Sequence, residues 1–220
     1  MKTSKPIYAL IFFVLVFYNS RLTAQEQYEK NFYGGLFYLS NYIASDEFEV
    51  FKKEKSDLEQ VDYIFAKAVE FFEEDISEAL LCLTFSTLPY YHIELRFLFG
   101  TRINIPLPSP PQKIFERRLK NLPKEFFFDS AKDDFGDKDK LAHFFGNAFL
   151  SYNFGWFNLS KFMGIFVEQV EEGLFVNGGY SNKDLITNHL GELFGTCIKN
   201  NRNLKPSDVL KIYQLLFFRI

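Results

Sequence analysis

The sequence predicts a mainly α protein, a helical domain with one small β-hairpin near residues 91–106. Three observations predict it. Apolar residues recur at steps of three and four from Asp57 to Leu83, the period of an amphipathic helix. Helix-length apolar segments fill most of the chain after residue 138. Apolar/polar alternation, the period of a strand, runs over residues 92–105, broken at Leu98. Composition agrees with a packed domain. The 220 residues are 47% hydrophobic and 24% charged, which supplies enough apolar surface for a core and excludes a chain disordered throughout. Aromatic residues reach 19%, with 29 Phe and one Trp, so a Phe-packed interior or an apolar contact surface is expected.

The N-terminus reads as a secretory signal peptide over residues 1–24. Lys2 and Lys5 form a positive region, Ile7 to Tyr18 an apolar run, and Ala24 a small residue suited to cleavage. The apolar run is short of the ~20 residues a bilayer-spanning helix needs. The competing reading is an uncleaved N-terminal membrane anchor. The residue just after the cleavage point is Gln25 and not Cys, so a lipoprotein anchor has no attachment site. Loss of Lys2, Lys5 and Arg21 leaves 22 basic against 28 acidic residues, a net charge of −6. Cys82 and Cys197 can pair in an oxidising compartment or stay as buried thiols.

The remainder, 25–220, is expected to form a single mainly helical domain. Its first part, 25–112, is aromatic and holds the hairpin. Gly34-Gly35 is expected to interrupt any helix over residues 25–44. Asp57 to Leu83 follows as an amphipathic helix with Ser56 as its N-cap. The hairpin is expected to turn at Gly100-Thr101, with His92 packed within it. Pro106, Pro108, Pro110 and Pro111 then stiffen a linker. The second part, 113–220, opens with the basic stretch Lys113, Arg117, Arg118, Lys120 and Lys124. That stretch reads as a solvated helix face, and it can also attract an anionic membrane surface. Helices are expected at about 138–154, 159–173 and 183–200. A last helix starts after Pro206, with Ser207 as N-cap, and runs to the C-terminus. Polar residues such as His143, Asn147, Asn153, Asn158 and Lys161 break up the apolar stretch 141–170. It is therefore read as buried helices, with a membrane-embedded helical hairpin as the alternative.

The chemistry-bearing residues lie within these apolar helices. Asp139 and His143 are four apart, as are Glu168 and Glu172, with Glu171 between them, and Asp184 and Asn188. A spacing of four puts each pair on one helix face. Converging faces would gather carboxylates, an imidazole and an amide. Such a set can hold a divalent metal at Asp139, His143, Glu168 and Glu172, or perform acid–base chemistry. Each member also has a structural reading. Asp139 suits a helix N-terminus, and His143 can be a hydrogen-bonded core histidine. The three glutamates can be a solvated patch, Asp184 can complete a capping box with Ser181, and Asn188 can bond locally. Gly191 and Gly195, four apart, allow a neighbouring helix to approach closely.

Asp139-Lys140-Leu141-Ala142-His143-Phe144 resembles the DKxxHF opening of VanZ-like proteins and of related exported bacterial envelope proteins of unknown function. Asp184-Leu185, Asn188, Gly191 and Gly195 resemble their closing DLxxNxxGxxxG block, and Glu168, 16 residues before Asp184, matches the acidic residue between the two. The blocks cover about residues 137–195. VanZ-like proteins are multi-pass membrane proteins and often carry Gln after the Glu and Arg before the closing Asp. Here Glu171 or Glu172 and Gly179-Tyr180 stand there. The resemblance implies a cell-envelope setting, with glycopeptide-resistance relatives as a distant hint, and brings no established reaction.

The net charge of −3 and the lack of aromatic interleaving in the basic stretch argue against nucleic acid as a partner. No Gly-rich phosphate loop, nucleophile elbow or Cys/His zinc spacing is found. The sequence therefore leads to an exported envelope protein with a structural or binding role. In it, an Asp/His/Glu/Asn network links three helices, and the partner is a membrane surface or envelope component. The alternatives are a metal-supported or acid–base enzyme on an envelope lipid or cell-wall substrate, and a membrane-embedded VanZ-like protein.

Overall fold

A computed structural model describes residues 28–96, 102–154, 175–176 and 182–215. The expected signal peptide, the expected Gly100-Thr101 turn, the expected 159–173 helix with Glu168, Glu171 and Glu172, and residues 216–220 of the expected C-terminal helix lie outside the described residues. The protein is mainly helical. Helices α1 (Phe32–Ile43), α2 (Asp46–Glu54), α3 (Asp57–Phe71) and α4 (Ile76–Ser86) come first. Strands β1 (His92–Arg96) and β2 (Arg102–Pro106) and helices α5 (Gln112–Asn121) and α6 (Lys138–Asn153) follow. The two-residue β3 (Phe175–Val176) precedes α7 (Asn182–Ile198), α8 (Pro206–Leu210) and α9 (Ile212–Leu215). The strands lie in the order β2-β1-β3. β1 is antiparallel to both neighbours, with His92 opposite Pro106 and Arg96 opposite Arg102. His92 is exposed at the strand end rather than packed.

One hydrophobic cluster runs from Leu39 in α1 to Tyr213 in α9, so both sequence parts share a core. It is rich in phenylalanine: Phe48, Phe65, Phe72, Phe144, Phe145 and Phe194 are all buried. Ser56 caps α3 as its sequence suggests. Its hydroxyl accepts from the Glu59 backbone N–H, and the Glu59 carboxylate accepts from Ser56 N–H.

Four further sequence expectations need correction. Gly34 and Gly35 do not interrupt a helix but sit in the first turn of α1, where Asn31 caps Gly34 N–H at 2.9 Å. A Cβ at Gly35 would run into the Phe72 ring, so this glycine serves packing rather than chain reversal. The 57–83 period belongs to two helices. Glu73 and Glu74 adopt φ of 51° and 71°, which ends α3, and Asp75 restarts the chain by capping Glu78 N–H of α4. Ser207 does not cap the last helix. It lies inside α8, and its N–H and hydroxyl both donate to Asp62 of α3, at 2.8 and 2.7 Å. The basic stretch is not uniformly solvated, because Arg118 is fully buried. Its guanidinium donates to the carbonyls of Phe85, Ser86 and Leu88 at 3.1, 2.8 and 2.6 Å, closing the C-terminal end of α4. Burial lowers its pKa to about 10, against a raising influence from Tyr91.

Cys82 and Cys197 are both free thiols. Cys82 is buried, with its Sγ donating to Phe32 O at 3.2 Å, and Cys197 is half-buried.

Candidate functional site

The site is built on α6 and α7, which run side by side in the same direction. Contacts climb both helices together: Asp139 meets Asp184 through Lys140, His143 meets Asn188, and Ser151 Oγ donates to Glu192 O at 2.9 Å. Gly191 and Gly195 make this approach possible. A Cβ on Gly191 would lie 3.0 Å from the Phe144 carbonyl carbon, with the oxygen nearer still, and one on Gly195 would strike the Ala148 carbonyl. The helix-packing role expected of this pair is what the contacts display.

A second polar knot fixes where the two helices begin. Asp137, buried at the N-cap of α6, accepts from Lys183 Nζ at 2.7 Å and from the Ser130 hydroxyl. Lys183 also reaches Asp129 at 2.9 Å, and the Tyr213 hydroxyl donates to the other Asp129 oxygen at 2.8 Å. Burial tends to raise the Asp129 pKa, but the hydrogen bonds from Lys183 and Tyr213 outweigh it and the net shift is downward.

One turn further on, the candidate residues meet. Lys140 Nζ bonds Asp139 Oδ2 at 2.5 Å and also pairs with Asp184 Oδ1. All three side chains are mostly buried, at 11%, 18% and 13% exposure. Burial alone would lower the Lys140 pKa; the two carboxylates more than offset it, and the ammonium is held above its ordinary value. Asp139 and Asp184 lie in the first turns of their helices, where the N-terminal dipole favours negative charge. Asp139 Oδ1 is buried with no hydrogen-bond partner among the described residues.

The histidine tautomer follows from its neighbours. Asn147 Nδ2 donates to the His143 carbonyl at 2.9 Å, which fixes which end of that amide is nitrogen. The same Nδ2 donates to Asn188 Oδ1 at 2.9 Å, which fixes the Asn188 amide in turn. Asn188 Oδ1 also lies 3.0 Å from His143 Nδ1 and can only accept, so Nδ1 carries the hydrogen. In the neutral ring Nε2 then holds the lone pair, 4.0 Å from Asp184 Oδ1. The His143 side chain is 34% exposed.

That exposure opens onto a cleft of about 390 Å³ between α4 and α6. Leu81, Phe85, Leu88, Phe149 and Leu150 form apolar walls, and Asp139, His143, Asn147 and Tyr90 supply its polar groups. Arg118 holds the wall segment Phe85–Leu88 in place by its three carbonyl contacts.

Asp139, His143, Asp184 and Asn188 therefore come together as their spacing suggests. Asp139, His143 and Asp184 offer one ligand atom each, all within 4.8 Å of one another. Glu168, Glu171 and Glu172 lie outside the described residues, so the convergence spans two helices among those described. Asp184 is buried and ion-paired, whereas Ser181, its expected capping partner, lies outside the described residues. Sequence reasoning missed Lys140 and Asn147. Asn147 follows His143 by four, the same signal that singled out the other pairs. Lys140 is one residue from Asp139, and its long stem brings the ammonium round to the carboxylate face.

Among the described residues no helix is long and apolar enough to cross a membrane. Compared with protein-family models, with curated proteins and with solved structures, the chain gives no match.

Proposed function

We propose that this chain is an exported cell-envelope protein with a binding role, and that the Asp139–Lys140–His143–Asn147–Asp184–Asn188 network is the polar end of its binding site. One observation carries the proposal. Asp139, His143 and Asn147 belong both to the network joining α6 to α7 and to the wall of an otherwise apolar cleft. A network serving packing alone would be sealed from solvent; ligand sites place a few polar groups in an apolar concavity. The VanZ-like blocks and the N-terminal segment support the envelope setting. The exposed Lys113, Arg117 and Lys120 on α5 support contact with an anionic surface, although Arg117 is paired with Asp46 and Glu49 of α2.

Lys140 supplies the cation of this centre, because its ammonium already pairs with both carboxylates. Elemental analysis of Gln25–Ile220, purified without chelator, tests this beside Lys140→Met. The expected result is no bound transition metal in the wild type and uptake only once the ammonium is gone. Near-stoichiometric zinc, iron or manganese in the wild type, lost in His143→Ala, overturns it. That result would favour a second reading, a metal-supported acid–base enzyme on an envelope lipid or cell-wall substrate, for which the 4.8 Å grouping of Asp139, His143 and Asp184 speaks.

A further inference from the structure

We infer that the cavity between α5 and the start of α6 is an anion site for a phosphate group, with the organic part of the ligand against Phe135. It uses none of the residues of the α6–α7 network, so it stands independently of what that network binds.

Lys120, Lys124 and Lys138 line a cavity of about 590 Å³, with Leu119 and Phe135 as apolar walls. Its frame is fixed from the backbone. Asp57 Oδ2 accepts from the N–H groups of Lys124 and Glu125, at 2.7 and 2.5 Å. Asp137 N–H donates to Lys124 O at 2.8 Å. Gly136, at φ of 56°, lets the loop close on that carbonyl, which a Cβ would strike. The Asp133 carboxylate accepts from Phe135 and Gly136 N–H at 2.9 and 2.6 Å. Lys124 Nζ donates to Asp133 O at 2.6 Å, and Lys138 Nζ to Asp134 O at 2.8 Å. Loop and lysines are tied to one another before a ligand arrives, which lowers the ordering cost of binding.

The lysine charges do not cancel within the protein. Lys52 of α2 reaches in beside them, its Nζ donating to Asn121 Oδ1 at 3.2 Å. Its acceptors and that of Lys138 are uncharged. Among the described residues, no carboxylate lies within ion-pair distance of Lys52, Lys120 or Lys138. Lys124 stands 3.9 Å from both Glu125 and Asp134. Of the acids on the wall, Glu116 accepts from Gln112 at 2.9 Å and the Asp134 side chain is fully solvated. Burial lowers the Lys138 pKa, and Lys124 and Lys52 lower it further, against Asp134 and Asp133. Lys52 is also lowered, first by burial and then by Lys120 and Lys124, against Glu49 and Asp57. The fold thus gathers four like charges, with Lys138 buried and Lys52 half-buried, a costly arrangement that an anion relieves. Lys120 is exposed and the Lys124 side chain is 32% exposed, so these two can meet a solute directly. Lys138 and Lys52 strengthen the field from behind. A phosphate ester brings about −1.5 to −2 charge and three acceptor oxygens, enough for two ammonium groups, where a carboxylate brings one charge. Phe135, 40% exposed and beside the Tyr90 ring, offers an apolar face to the ester's organic group.

Isothermal titration of Gln25–Ile220 with phenyl phosphate, inorganic phosphate and benzoate in ~0.15 M NaCl, where diffuse surface attraction is screened, tests the inference. The expected result is one site that favours phenyl phosphate over benzoate. Lys120→Ala should weaken both phosphates about tenfold, the scale of one charge-assisted hydrogen bond. Lys113→Ala, which removes the same charge from the same helix outside the cavity, should leave both unchanged. Lys138→Met should weaken both phosphates through the lost field. Phe135→Ala should weaken phenyl phosphate and spare inorganic phosphate. No phosphate binding, benzoate binding as tightly as phenyl phosphate, or equal losses in Lys113→Ala and Lys120→Ala overturns the inference; the last would make the stretch a diffuse basic face. Pelleting with phosphatidylcholine vesicles that carry phosphatidic acid separates the two sources of such a group. Pelleting that depends on Lys120 identifies a lipid head, and binding of the soluble probes alone a free phosphate ester; both outcomes support the site.

Discussion

Replacing Lys140 by Met removes the cation that pairs with both Asp139 and Asp184 while keeping most of the side-chain volume. The two carboxylates then face each other with ligand oxygens no more than 4.8 Å apart. At an effective dielectric of about 20, unit charges at that distance repel by roughly 3.5 kcal/mol. Stripping one partner from a buried ion pair costs about 3–5 kcal/mol, and the two figures agree. For a chain of this size each kcal/mol lowers Tm by about 2–4 °C, so a drop of about 10 °C is expected at pH 7. The loss should shrink at pH 5. In the variant, repulsion raises one carboxyl pKa in the folded state, so protonation on acidification relieves the folded protein more than the unfolded chain. The opposite limb belongs to the wild type. The Lys140 pKa is raised, so its contribution is complete below the ordinary value of 10.5 and fades as pH rises through the higher folded value. Urea unfolding followed by circular dichroism at pH 5, 7 and 10.5 reads all three. A loss below about 1 kcal/mol at pH 7, the range of an exposed salt bridge, would refute the reasoning, as would a loss independent of pH.

Gly191→Ala should destabilise by about 2 kcal/mol or more, because overpacking against backbone outweighs the ~1 kcal/mol that alanine normally adds to a helix. Gly146→Ala, which meets only the Thr84 side chain and no backbone, should cost far less than Gly191→Ala, and thermal melts of the pair compare the two directly. Arg118→Lys should lose about 3 kcal/mol in urea unfolding, since one ammonium cannot reproduce the guanidinium fork on Phe85, Ser86 and Leu88 carbonyls. Burial pushes the Cys82 thiol up to about 12, so iodoacetamide at pH 8 should label Cys197 first and Cys82 only after denaturant is added, as peptide mass mapping would follow.

The long helices were legible because their signals are local. The periods over 138–154 and 183–200 correspond to α6 and α7 within two residues, and Ser56 with Glu59 marked the start of α3. The break between α3 and α4 was not legible, because two glutamates adopt a left-handed conformation where the sequence offers neither Gly nor Pro. Gly34-Gly35 misled for the converse reason: their value lies in contacts with Glu29 and Phe72, which no local pattern encodes. At the site, spacing of four placed Asp139 with His143 and Asp184 with Asn188 on their faces. The pairing of the two faces depends on Gly191 and Gly195, whose spacing was readable. Lys140 and Arg118 escaped because a long cationic side chain reads as solvated until the acceptors around it are seen.

The protonation of His143 tests the binding centre most directly. A long-range ¹H–¹⁵N spectrum of Gln25–Ile220, at a pH where the ring is neutral, assigned with His143→Ala, distinguishes the two ring nitrogens. The account predicts hydrogen on Nδ1 and an acceptor signal at Nε2. Hydrogen on Nε2 would contradict it.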